Sequence, residues 1–174
     1  ELTTLELGAS VKIEGVVTVP PSLLSESYFY IEDQTRGVQI YSYYKDFPAL
    51  ISGDSVEIFG TLGAISNELR IKISCQSDIK IQKNNPPLSP KPISIKEAND
   101  NLGKFVEIIG HVVNPSGNTF SLKDTDSEIK ILIRENAGVQ KPRLKTCYTI
   151  KVKGIVSVNK ETLRILPLDR KSVV

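Results

Sequence analysis

The chain has 174 residues, 40% hydrophobic and 24% charged, with a formal net charge of +2. That composition is ordinary for a globular chain and leaves room for one large domain or two small ones. No apolar run approaches the ~20 residues of a membrane-spanning helix, so membrane insertion is not expected. The start, ELTTLELGAS, lacks the basic-then-apolar pattern of a signal peptide. No methionine occurs anywhere, which points to a fragment or a processed chain.

Taken in chain order, the predicted elements are almost all strands. VKIEGVVTV (11–19) carries apolar residues at 11, 13, 17 and 19, and Gly15 marks a bend or bulge. YFYIEDQT and the RGVQIY that follows predict a hairpin over 27–33 and 37–43, with Asp33 suited to an Asx turn. YKDFPALISGD reads as a short turn or helix, and SVEIFGTL and ELRIKIS as two more strands. KNNPPLSPKP (83–92) places four prolines in seven positions, the signature of a stiff connector outside either domain. ISIKEANDN (93–101) predicts a short helical lead-in. Strands then follow at 105–113, 118–124 and 128–134, an insert around KPRLKT, and strands at 148–156 and 161–167.

The two halves repeat one pattern. LGASVKIEG (7–15) matches LGKFVEIIG (102–110), YFYIED (28–33) matches TFSLKD (119–124), VEIFGTL (56–62) matches IKVKGIV (150–156), and ELRIKI (68–73) matches TLRILP (162–167). Five short strands, a bent first strand and an irregular insert after the third describe an OB-fold, a small Greek-key barrel. The expected architecture is therefore all-β: two tandem five-stranded OB-fold barrels over 1–82 and 93–174, joined by a Pro-rich linker over 83–92. The shared pattern predicts burial of Val11, Ile13, Phe29, Ile31, Ile40, Val56, Ile58, Leu69 and Ile71. It predicts the same for Val106, Ile108, Phe120, Leu122, Ile131, Ile150, Val152, Leu163 and Ile165. With so proline-rich a connector, the barrels are expected to be joined without being fused.

The string VKIEGVVTVPP…YFYIEDQTRGVQIY…LISGDSVEIFGTL…ELRI resembles bacterial OB-fold modules. These serve as accessory domains of secreted, sugar-non-specific nucleases and of other exported multidomain proteins. The resemblance covers nearly the whole chain twice, and its motifs are barrel-building ones. It implies a non-catalytic segment of a larger protein in an extracellular or cell-envelope setting; nothing in the chain matches a nuclease domain.

OB-folds bind along the outer face of strands two and three, edged by the neighbouring loops. In the first copy that face presents Tyr28, Tyr30, Gln39, Tyr41 and Tyr43, with Arg70 and Lys72 on strand five. Aromatic platforms beside cations suit single-stranded DNA or RNA. The competing reading packs these tyrosines under the 44–52 insert or against the second barrel. In the second copy the matching positions are Thr119, Ser121, Lys123, Lys130, Leu132, Arg134, Arg164 and Leu166, which offer charge without stacking. Its outward leucines hint at a contact with another domain or a protein partner. Residues 1–84 hold 7 Lys+Arg against 11 Asp+Glu, a balance of −4, and residues 85–174 hold 15 against 9, a balance of +6. The acidic balance of the first copy argues against a phosphate ligand there.

No enzyme is expected, because no Ser-His-Asp order, phosphate-cradling glycine loop or metal cluster appears. Asp33 and Asp124 occupy matching hairpin turns in separate barrels, and His111 is expected as a surface strand residue. Cys75 and Cys147 form no CxxC pair; they are expected buried and reduced, with a disulfide between them the alternative if the protein is exported. No cofactor or metal is implied. Basic residues at Lys141, Arg143, Lys145, Lys151 and Lys153 read as a solvated face.

Overall fold

The computed structural model describes residues 4–139, 145–168 and 173. Strands β1 (Ser10–Val19), β2 (Tyr28–Glu32), β3 (Gly37–Ser42), β4 (Asp54–Ile65) and β5 (Glu68–Ile73) pair in the order β1-β2-β3-β5-β4, and β4 returns to β1 to close a barrel. β6 (Ile79–Asn84) is added outside it along β4. The second barrel repeats this with β8 (Phe105–Ser116), β9 (Thr119–Lys123), β10 (Glu128–Leu132), β11 (Thr149–Asn159) and β12 (Thr162–Pro167), closed by β11 on β8. β7 (Lys91–Pro92) runs parallel beside β8. Both barrels have the strand order of the OB-fold.

The first strand of each barrel serves two partners. β1 pairs with β4 through Ser10–Val16 and with β2 from Val16 to Val19, with an irregular register after Val17. β8 hands over from β11 to β9 at His111. Where β4 and β5 close on each other, Gly60 leaves no room for a side chain: a Cβ there would sit 2.6 Å from the Lys72 carbonyl oxygen. Gly154 is in the matching position, with the Leu166 carbonyl at 2.4 Å.

Most of the expected core is buried in both barrels, with Phe29, Ile40, Val56, Ile58 and Ile71 matched by Phe120, Ile131, Ile150, Val152 and Ile165. Val11 and Ile13, however, are only half-buried, whereas their counterparts Val106 and Ile108 are fully so. The cause is the lead-in. Ser94–Glu97 forms a reciprocal capping box that starts a 3-10 helix over Ile95–Asn101, and its Ile95 and Ala98 plug the end of barrel 2. The same end of barrel 1 opens into a cleft of about 670 Å3 floored by Val11, Ile13, Ile31 and Val38. Leu69 and Leu163 are also half-buried, at the edge of each core. The 43–53 segment contains no helix; its Phe47 meets Phe29 edge-to-face at 5.3 Å and Leu50 is buried.

The proline-rich stretch is shorter than 83–92 as a connector. Lys83 and Asn84 belong to β6, and Asn85 donates from Nδ2 to the Gly53 carbonyl and the Ser55 hydroxyl. Lys91–Pro92 pairs with β8. Proline is tolerated there because β7 is an edge strand that does not need every donor.

The barrels are docked on each other, contrary to the expectation of a loose pair. Gly37 and Gly103 touch through their backbones, and a Cβ on Gly37 would lie 2.0 Å from the Gly103 carbonyl oxygen. Gly37 N–H donates to the Leu102 carbonyl, Phe105 N–H to the Glu32 carboxylate at 2.7 Å, and Lys104 Nζ to the Gln34 carbonyl at 2.7 Å. On the far side Lys160 N–H donates to the Ser66 carbonyl and Asn67 Nδ2 to the Lys160 carbonyl. Val19, Leu24 and Tyr30 of barrel 1 join the hydrophobic cluster of barrel 2, together with Ile155 and Leu166. The outward Leu166 is fully buried within that cluster.

Candidate nucleic-acid interface

Strand pairing sets the outer face of barrel 1 in rows. Tyr28, Tyr41, Lys72 and Thr61 form one row, and Tyr30, Gln39, Arg70 and Gly63 the next. Beyond them lies Glu68, one pleat before Arg70 on β5. Barrel 2 covers the Glu68 end of this face. Tyr30 is 1% exposed and Gln39 5%, so neither is available to stack on a ligand. The reason is the junction: an outward tyrosine whose hydroxyl finds a partner serves well between two domains.

That partner is Glu68. The Tyr30 hydroxyl donates to Glu68 Oε1 at 2.7 Å, and Gln39 Nε2 donates to the Tyr30 oxygen at 3.1 Å. From barrel 2, the Ser157 hydroxyl donates to Glu68 Oε2 at 2.8 Å, and Arg164 Nε donates to Ser157 Oγ at 3.3 Å. Burial pushes the Glu68 carboxyl above its ordinary range, against the pull of Tyr30, Ser157, Arg164 and Arg134. Burial, with Glu68 beside it, drives the Tyr30 hydroxyl far above its usual value. Tyr28 is raised by burial too, and Arg134 and Arg164 oppose that rise. Tyr28 lies half-buried, edge-on to Tyr30 at 5.8 Å.

The rest of this face is less covered, with Tyr41 and Arg70 half-buried and Lys72 exposed. Arg70 stacks on Tyr41 with its guanidinium carbon 4.1 Å from the ring centre, and its Nε has no hydrogen-bond partner among the described residues. Lys72 is exposed, its aliphatic stem lying over Gly63 where a Cβ would meet it at 2.7 Å. Tyr43 and Tyr44 follow β3 and are 75% and 76% exposed, in edge-to-face contact at 5.2 Å. Tyr44 escaped the sequence reading because it lies past the end of the alternating strand.

In barrel 2, Ser121, Lys130, Arg164 and Ser157 form a row across β9, β10, β12 and β11. Lys130 and Lys123 are exposed, and Lys123 faces Glu128 across the ladder. Arg164 and Arg134 are half-buried and turn toward the junction. Tyr28, Tyr30, Gln39, Arg134 and Arg164 therefore converge between the barrels. Tyr41, Arg70 and Lys72 border them on barrel 1, and Lys123 and Lys130 lie outward on barrel 2.

Several of the other charges are paired. Lys12 and Lys80 flank Glu57 at 2.7 and 3.6 Å, and Lys151 and Lys153 flank Glu107 at 2.9 and 3.6 Å. Lys141 and Arg143 lie outside the described residues. Asp33 Oδ1 accepts from the Thr35 and Arg36 N–H groups, and Asp124 Oδ1 from those of Asp126 and Ser127. Both are turn-forming carboxylates. His111 is exposed, its Nδ1 2.9 Å from the Thr149 hydroxyl. Cys75 and Cys147 are free thiols, half-buried and exposed respectively, rather than core residues. Among the described residues no cluster of three potential metal ligands occurs, and no helix is long and apolar enough to cross a membrane.

No family model and no curated protein matches the chain. Among solved structures it is similar to the telomere capping protein Ten1 from Saccharomyces pombe, at 18% identity over 45% of this chain and 77% of that one, with a TM-score of 0.37. It is similar to a murine DNA binding protein bound with ds DNA at 12% identity, covering 91% of this chain and 95% of that one, with a TM-score of 0.46. The tetrameric p202 HIN2 matches at 12% identity, 92% and 91% coverage and a TM-score of 0.42.

Proposed function

We propose that the chain is a non-catalytic, two-barrel module that binds single-stranded nucleic acid. The strand runs over the β3–β5 strip of barrel 1 and continues toward the basic outer face of barrel 2. One observation carries the reading: the Arg70 guanidinium sits over the Tyr41 ring beside the exposed Lys72, with the exposed Tyr43–Tyr44 pair at the end of the same strand. Stacked bases need aromatic or guanidinium planes, and the phosphates between them need cations. This strip holds both, next to the loops where such barrels take their ligands. Lys123 and Lys130 add charge on the side that carries the chain's positive balance. On its resemblance to accessory modules, the natural setting is a segment of a larger exported protein.

Fluorescence anisotropy with single-stranded DNA and RNA oligonucleotides, at low and moderate salt, tests the reading. Saturable binding that weakens as salt rises is expected, as is a loss on Tyr43→Ala with Tyr44→Ala. Absence of binding to the parent at low salt would leave the alternative, a spacer or protein-docking segment. The hydrogen-bonded junction at Glu68 and Ser157 favours that alternative, because it holds the two barrels at one angle.

A further inference from the structure

Between the barrels, one residue pair from Tyr41, lies a second concavity. It has a volume of about 410 Å3 and is walled by Leu24 and Tyr28 of barrel 1 and by Leu132 and Arg134 of barrel 2, with Asn118 and Asn136 at its mouth. Its chemistry is divided. Leu24 is buried, and Tyr28 and Leu132 are half-buried against the same hydrophobic cluster, giving the cleft a small apolar side. The polar lining is the Arg134 guanidinium, which interacts with the Tyr28 hydroxyl while its Nε is buried without a hydrogen-bond partner among the described residues, and two exposed side-chain amides.

We infer that this junction cleft seats a single unpaired nucleobase. The inference rests on the nucleic-acid reading and extends it to a pocket formed only when the barrels are docked. The size is in the range of small-ligand pockets. An aliphatic and aromatic wall takes the face of a base, since every base has an apolar π-face. Arg134 and the two amides offer donors and acceptors to its edge, the side-chain types that read bases elsewhere. Glu135 also lines the cleft, and its carboxylate repels phosphate, so the base enters and the backbone stays outside. The geometry continues that of the strip, because Tyr28 pairs directly with Tyr41 across β2 and β3. A strand crossing Tyr41 therefore reaches the mouth of the cleft by following the row.

The test uses the whole chain and a single-stranded oligonucleotide of about 12 nucleotides, within the span of one to two such barrels. 2-Aminopurine is placed at each position in turn, because its emission changes when it stacks. Asn118→Trp fills the mouth from an exposed position and so spares the core. One position of the scan should change emission on binding to the parent, and Asn118→Trp should abolish that change. Affinity should fall about 5- to 100-fold, the range that one stacked base accounts for, while the melting temperature holds. Arg134→Ala should weaken binding in the same direction. If the parent binds, and neither variant alters affinity or emission while Tyr43→Ala does, the cleft is not a base seat although the wider reading stands. If the parent binds no oligonucleotide at low salt, both fall.

Discussion

Tyr30 and Glu68, 38 residues apart, share a 2.7 Å hydrogen bond at the centre of the junction, and Ser157 of the other barrel holds the second carboxylate oxygen. Burial raises the Glu68 carboxyl above the unfolded value. The folded state thus favours the protonated form, and the contribution of Glu68 to stability is fullest at acid pH and is lost as pH rises through the raised folded value. Glu68→Gln keeps an oxygen for Tyr30 and removes the buried charge. The variant should match or exceed the parent in stability at neutral pH, and the difference should shrink or reverse on acidification. Denaturant titrations of both proteins across that range measure it; a gap independent of pH would mean that Glu68 is effectively solvated.

Gly37 and Gly103 make the junction a matter of backbone contact. With the Gly103 carbonyl 2.0 Å from the place of a Gly37 Cβ, and Gly103 itself at φ +75°, alanine at either position must push the barrels apart. Gly37→Ala should cost roughly 1–3 kcal/mol, as overpacking against an unyielding backbone does. It should also turn one unfolding transition into two. A change of less than ~0.5 kcal/mol with a single transition, the range of an uneventful surface substitution, would mean that the docked arrangement is not needed for stability.

The two barrel ends differ in how they are closed, and substitutions there should cost different amounts. Ile95→Ala removes the plug of barrel 2 and should cost about 2–4 kcal/mol, a buried large-to-small change. Val11→Ala, at the open end of barrel 1, should cost under ~1 kcal/mol because that side chain is already part-hydrated. Thermal melts of the two variants check the ratio, and equal losses would mean that the barrel 1 end is closed in solution.

The strands were legible because alternation is local: Phe29 and Ile31 point in and Tyr28 and Tyr30 point out, whatever lies beyond. Alternation does not say what covers an outward face, so the burial of Tyr30 and Gln39 was beyond it. The repeat likewise located Val11 and Ile13 on the core side, yet the plug that buries their counterparts comes from Ile95 and Ala98, outside the repeated strands. β6 went unread because only Ile79 of its six residues is buried, and its Ile81 is 45% exposed, leaving no period to detect. Glu68 carried a weak signal: it shares the outward phase of Arg70 and Lys72 on β5, and a carboxylate on a face expected to bind phosphate calls for a partner.

Arg70 is where the nucleic-acid reading is most exposed to failure. Its guanidinium carbon lies 4.1 Å from the Tyr41 ring centre, and among the described residues its buried Nε has no hydrogen-bond partner and it belongs to no ion pair, which leaves its charge for a phosphate. Arg70→Glu should lower single-strand affinity and flatten its salt dependence by more than one unit of slope, since each cation neutralising a phosphate contributes ~0.7. Lys72→Ala should remove about 0.7 of slope without changing which strand is preferred. Stability should fall by no more than ~2 kcal/mol on Arg70→Glu, the worth of a partly desolvated cation–π contact. Anisotropy across a salt series, with a melt of each variant, separates the cases. If Arg70→Glu leaves the salt slope intact and destabilises barrel 1 by several times that amount, Arg70 is a packing residue and the strand, if bound, runs elsewhere.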